Sequence, residues 1–172
     1  MTREVALLIF IGVAVLLLAL GAAAWRRRTF RDAGLSAPVG EIPAGAALRD
    51  RFAGLYVATT RHAEPLERLA IRGLGFRSRA ELLVTDAGLA LDLTGQPRLF
   101  LPVERIAEVG RATVAIDRVV EPGGLVRVSW RADAAQLVDI YFRPQDSSAR
   151  GVVDAIAAVL PSTSATTMGS DA

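Results

Sequence analysis

Apolar residues run from Val5 to Trp25 without one charged, histidine or amide side chain, and Arg26, Arg27 and Arg28 follow at once. At about 1.5 Å of rise per residue, such a run makes a helix of roughly 31 Å, close to the ~30 Å of a bilayer's hydrocarbon core. It has no polar stripe to turn toward water, so a core helix of a soluble domain fits poorly. Ala22 and Ala24 imitate the small residues of a signal-peptide cleavage site. A signal peptide, however, places its basic residues first and keeps its apolar stretch to about 7–15 residues. The pattern predicts an uncleaved anchor over residues 1–28, with Val5, Leu8, Phe10, Leu17 and Trp25 among its anchoring side chains. The segment carries no ionisable group of the kind that marks a proton or ion path, so it reads as an anchor and not a conduit.

After the anchor the periodicity lapses and then returns as a different one. Residues 29–48 hold Gly34, Pro38, Gly40, Pro43 and Gly45 among small side chains, which predicts a flexible linker. At about 5–6 Å × √n its r.m.s. reach is roughly 25 Å. From Phe52 a period of two predicts strands: Phe52 to Thr60, Ala80 to Thr85, Leu89 to Leu93, Arg98 to Leu101 and Thr113 to Val119. Asp86-Ala87-Gly88 reads as a hairpin turn between the second and third of these. Val126, Val128 and Trp130 alternate with Arg127, Ser129 and Arg131, and Val138, Ile140 and Phe142 with Asp139, Tyr141 and Arg143. Both stretches predict strands with one solvated polar face. Val103, Ile106 and Val109 sit in a brief ambiguous segment.

Past Asp146 the apolar spacing changes to that of a helix: Ala149, Val152, Val153, Ile156 and Leu160. Asp146 or Ser147 can cap this helix and Pro161 stops it. The helix is expected to close one end of the strand core, with Val153 and Ile156 at its centre. Residues 161–172, small and polar, predict a disordered tail.

The order of strands, the stretch Leu101 to Val109, the alternating segments Gly124 to Arg131 and Leu137 to Phe142, and the closing helix together resemble bacterial pleckstrin-homology-like (PH-like) domains. The whole chain is similar to small single-pass actinobacterial membrane proteins carrying such a domain over about residues 48–160. The resemblance implies a mainly β fold, two packed sheets forming a barrel or sandwich, capped by one C-terminal helix. The expected layout is therefore an anchor at 1–28, a linker at 29–48, a PH-like domain at 49–160 and a tail at 161–172. Some proteins of this kind are labelled as transport or export components. The family supplies no binding residues to carry over.

Charge sharpens the picture. All 20 basic residues are Arg, a composition associated with GC-rich genomes. Residues 1–31 hold five Arg against one Glu, while residues 32–172 hold 15 Arg against 17 Asp and Glu, so the basic surplus is juxtamembrane. The domain lacks both the basic face and the aromatic richness of a nucleic-acid binder. Arg26, Arg27, Arg28 and Arg31 beside the apolar run place that flank in the cytoplasm by the positive-inside rule. The N-terminus then lies outside the plasma membrane and the domain inside.

Candidate chemistry is sparse. There is no Cys, which excludes disulfides, thiolate nucleophiles and Cys-bound metals. His62 is the one histidine and reads as a loop residue without partners. Glu64 with Glu67, and Glu104 with Glu108, lie beside arginines and read as mixed-charge faces. Gly73 and Gly75 do not make a phosphate-cradling motif. Arg72, Arg77 and Arg79 form the densest basic cluster of the domain, a candidate headgroup contact of modest strength. No cofactor and no metal are expected. The expected function is a membrane-anchored, non-enzymatic interaction or scaffold protein with a protein partner and membrane lipid at its anchor. An accessory subunit of a transport or envelope complex and an anionic headgroup sensor are the alternatives.

Overall fold

The computed structural model describes residues 3–31, 34–115, 118–119, 123–132 and 136–161. Helix α1, Arg3–Arg31, is one of two units of the chain and carries the apolar run on every side. Its stretch Arg3–Arg27 is long and apolar enough to cross a membrane, and Leu8, Phe10, Leu17 and Trp25 are all exposed along it. An unpartnered helix of this kind in water would leave several large side chains hydrated, each worth about 1.5–3 kcal/mol when buried. Arg26 stacks over Phe30 at the basic end, 5.2 Å from the ring centre.

The second unit, Leu35–Ala172, contains ten strands and one α-helix among its described residues. The strands are β1 (Leu48–Arg61), β2 (Glu64–Arg68), β3 (Ser78–Thr85), β4 (Gly88–Leu93), β5 (Leu99–Pro102), β6 (Ile106–Ala112), β7 (Val114–Ala115), β8 (Arg118–Val119), β9 (Leu125–Arg131) and β10 (Leu137–Pro144). Helix α2, Ala149–Ala157, follows. The main sheet is antiparallel, in the order β5-β4-β3-β1-β10-β9-β6, with β2 also paired to β1. Strand β1 is long enough to serve both halves: its first part pairs with β3 and its second with β10, across a bulge between Tyr56 and Ala58. The two halves face each other, because Leu82, Leu91 and Leu101 from one share a core with Val128, Trp130 and Phe142 from the other. The mainly β fold with one closing helix is as expected: the main sheet bends so that its two halves pack face to face as in a barrel or sandwich, and β7 and β8 form a separate two-stranded sheet.

Helix α2 packs on β6, β9 and β10, and buries Ala149, Val152 and Ile156. Val153 is only partly buried, so Val152 and not Val153 shares the centre of the face with Ile156. The cap is Ser148, whose hydroxyl accepts the Gly151 N–H at 3.1 Å. Asp146, expected as a cap, instead accepts the Ala53 N–H of β1 at 2.9 Å and ties the approach to the helix onto the sheet. The helix ends at Ala157, before Pro161. The tail from Ser162 lies outside the described residues.

Three further expectations are corrected. The segment 29–48 is not a free linker: α1 runs to Arg31, Leu35 and Ala37 pack against the core, and Leu48 already belongs to β1. Val39 bridges Leu99 of β5, with Phe100 donating to Pro38 O at 2.8 Å and Gly40 to Arg98 O at 3.1 Å. Arg98 adds side-chain bonds, to Asp92 at 2.6 and 2.7 Å and to Glu41 at 3.3 Å. Hydrogen bonding to Arg98 holds the Asp92 carboxyl below its usual range. The stretch Thr113 to Val119 is not one strand but the hairpin β7–β8; Ile116 and Asp117 within it lie outside the described residues. Finally, the polar positions of β9 and β10 are not all solvated, since Ser129 and Asp139 are completely buried. They share the outer face of the sheet with a second small core of Val57, Ala58, Ala115, Leu125 and Tyr141, to which β7 contributes.

Candidate functional site

Arg72, Arg77 and Arg79, named from the sequence, do come together in one stretch: the connection from β2 to β3 and the start of β3. All three are exposed. The connection is far from slack. Leu69, Ile71 and Leu74 are sunk in the main core, and Gly73 makes the turn between them at φ +83°, where a side chain would be strained. The Tyr56 hydroxyl donates to Leu74 O at 2.6 Å and meets Thr59 Oγ1 at 2.9 Å. Its one proton is committed to the carbonyl, so Thr59 is the donor in the second bond. Burial pushes the Tyr56 phenol far above its ordinary pKa, which keeps that proton in place. The Arg68 guanidinium adds a clamp, donating to Gly75 O at 2.8 Å and Val57 O at 3.0 Å.

What this scaffold presents is Phe76, 83% exposed at the tip. Sequence reasoning finds the arginines around it and misses the phenylalanine. A signal is available: a lone aromatic between glycine and arginine, outside any alternating pattern. Leu66 of β2 is also exposed. The basic side chains are distinctive for a second reason. Arg49, Arg51, Arg61, Arg98 and Arg127 each pair with a carboxylate. Arg72, Arg77 and Arg79 form no ion pair among the described residues.

His62 does have partners. Its Nδ1 lies 2.9 Å from Asp139 Oδ1, and the Ser129 hydroxyl donates to the same oxygen at 2.6 Å. The Ala63 N–H reaches Asp139 Oδ2 at 3.3 Å, holding a turn in which Ala63 sits at φ +62°. Histidine, serine and aspartate thus meet, but in an order that does not activate the serine. A nucleophile needs to hand its proton to the imidazole. Here the hydroxyl proton goes to the carboxylate. The arrangement fixes the β1–β2 turn and screens a buried acid. The other carboxylates behave as mixed-charge faces: Glu64 and Glu67 lie 3.9 and 3.7 Å from Arg61, and Glu108 is 2.5 Å from Arg127. Among the described residues no cluster of His, Asp and Glu is built to hold a metal ion.

Of the anchor-flanking cluster, Arg26 and Arg27 are exposed on α1. Arg28 and Arg31 also belong to that helix, and their side chains lie outside the described set. The sheet offers one further feature, its terminal strand β6, which pairs with β9 on one side alone among the described residues.

No curated protein matches the chain. Among solved structures it is similar to the C-terminal domain of an unknown protein from Leishmania infantum, at 13% identity and a TM-score of 0.45, over 67% of this chain and 85% of that one. The family model described as bacterial PH domain-like matches residues 36–157, well over half the sequence, and reaches from the edge bridge at Val39 through the buried face of α2; the chain belongs to that family.

Proposed function

We propose that the protein is a single-pass, membrane-anchored, non-enzymatic interaction module that presents its PH-like domain in the cytoplasm of an actinobacterial cell. The observation that carries the interaction reading is β6. A terminal strand with one unpaired edge can accept an extended segment of another protein as an added strand, with main-chain bonds supplying affinity. The triad-like group at His62, with its serine proton directed at Asp139, supports a non-catalytic reading. A photo-crosslinking residue at position 111 or 107 of β6, in the full chain in its own membrane, is expected to trap one discrete partner. The same residue at position 154, on the exposed side of α2, should not. Equal trapping at all three positions would remove the edge-strand reading. A partner that is itself an integral membrane transporter would favour the accessory-subunit reading instead.

Orientation rests on Arg26, Arg27, Arg28 and Arg31 after the apolar run. A fluorescent reporter fused after Ala172 is expected to glow, and a phosphatase fused there to stay inactive. Changing the four arginines to glutamate should weaken or invert that result. An active phosphatase on the unaltered chain would place the domain outside the cytoplasm.

A further inference from the structure

We infer that the β2–β3 connection is a knob for a protein partner, seating Phe76 in an apolar pocket of a folded domain whose acidic rim pairs with Arg72, Arg77 and Arg79. The contact needs no strand addition at β6, so either surface can stand without the other. The first observation is mechanical. A phenylalanine on a slack loop folds back onto the nearest apolar surface. Phe76 is held away from it: Leu74 is buried with its carbonyl on the Tyr56 hydroxyl, and the Gly75 carbonyl accepts from Arg68. The side chain stays 83% exposed although the core begins two residues away. The fold thus leaves the burial of a large ring to another molecule. A pinned loop also gives up little conformational freedom on binding. That advantage exists only against a surface of fixed shape. A fluid bilayer takes a ring from a slack loop as readily as from a pinned one, whereas a preformed pocket favours the pinned one.

The second observation is charge. A domain with a slight acidic surplus keeps three guanidinium groups without an ion pair among the described residues, all within eight positions of the chain, and no acidic side chain occurs among residues 69–79. The nearby carboxylates Glu64 and Glu67 face Arg61, and Glu81 faces Arg51 at 3.3 Å. Arg72 precedes the ring in sequence, and Arg77 and Arg79 follow it. A guanidinium group binds a carboxylate through two parallel N–H···O bonds, which a rim of Asp or Glu supplies. A neutral or basic rim would strip water from three cations and give them no partner, so the same groups that admit an acidic pocket reject others. Aromatic rings and arginines are the side chains enriched where protein interfaces are most buried and most sensitive to truncation. The partner is therefore a folded acidic surface with a ring-sized apolar pocket.

The test places the photoreactive side chain benzoylphenylalanine at position 76 of the full chain in its own membrane. One discrete protein adduct is expected. Mass spectrometry of the attached segment should put the crosslink on an apolar residue of a folded domain, with Asp or Glu around it. Arg72→Gln/Arg77→Gln/Arg79→Gln should lower the yield about tenfold or more, and so should ~1 M salt on isolated membranes, where the Debye length is about 3 Å. Arg72→Glu/Arg77→Glu/Arg79→Glu should abolish capture, and changing the mapped carboxylates of the captured protein to arginine should restore it. With the captured protein purified, Phe76→Ala in the full chain should weaken binding about tenfold or more. All of these side chains are exposed, and unchanged melting of each variant verifies the fold. Adducts with lipid alone overturn the inference. So do a captured segment without acidic residues, a yield indifferent to the three arginines, and binding indifferent to the ring. Capture at position 76 that persists when position 111 of β6 traps nothing supports the knob and removes the edge-strand reading alone.

Discussion

Ile156→Ala is expected to cost about 2–5 kcal/mol of domain stability, out of a total of about 5–15 kcal/mol. Ile156 is fully buried on the inner face of α2, a helix that packs on β6, β9 and β10. Truncation leaves a cavity that a sheet-backed site fills poorly. Asp154→Ala, on the outer face, removes only an exposed pair with Arg150 at 3.9 Å and should shift stability by less than about 0.5 kcal/mol. Urea unfolding of residues 35–161 checks both. The fragment has to begin at Leu35, because Leu35 and Ala37 pack on the core and Val39 bridges β5. Similar losses from the two substitutions would mean that α2 does not close the core in this way.

Asp139→Ala is the second large effect expected. The carboxylate is completely buried and gathers His62 Nδ1, the Ser129 hydroxyl and the Ala63 N–H. Removing one partner of such a buried group strands the others and costs about 3–5 kcal/mol. His62 keeps some access to water, which pulls the value toward the lower end. Asp139→Asn keeps an oxygen at the Oδ1 position for Ser129 and His62 and gives up only the longer 3.3 Å bond from the Ala63 N–H at Oδ2, so it should lose less. An alanine variant that melts like the parent would show that the cluster is solvated in solution.

How far the sequence can be read depends on whether one element alone sets the pattern. The helix at Val152 and Ile156 and the hairpin around Asp86-Ala87-Gly88 are legible, because period and turn chemistry are local. Ser129 and Asp139 are not. Their alternation with Val128 and Ile140 says which side of the sheet they take, but not that this second side is also covered. Covering it takes β7 with Val57, Leu125 and Tyr141, residues distant in sequence. Gly and Pro between residues 34 and 45 signal broken regularity correctly and flexibility wrongly, since a strand of one bridge needs no propensity of its own. At the candidate site, like charges close in sequence give away Arg72, Arg77 and Arg79. Phe76 is hidden because exposure of an aromatic is decided by the pins beneath it, at Tyr56 and Arg68.

The short strand at Val39 also determines how copies of this domain can associate. A sheet with two open ends can add neighbours indefinitely, and a tethered population at high local density would be prone to fibre growth. Here one end of the main sheet is finished. Pro38 has no N–H, the Val39 N–H turns back to Ala37 O at 2.8 Å, and the Gly40 N–H is spent on Arg98 O. None of these three positions leaves a main-chain donor for a newcomer. Among the described residues β6 and the short side strand β2 are then the remaining terminal strands of this sheet, and two copies joined edge to edge through β6 have consumed that edge of each. Strand addition through β6 stops at a two-fold pair.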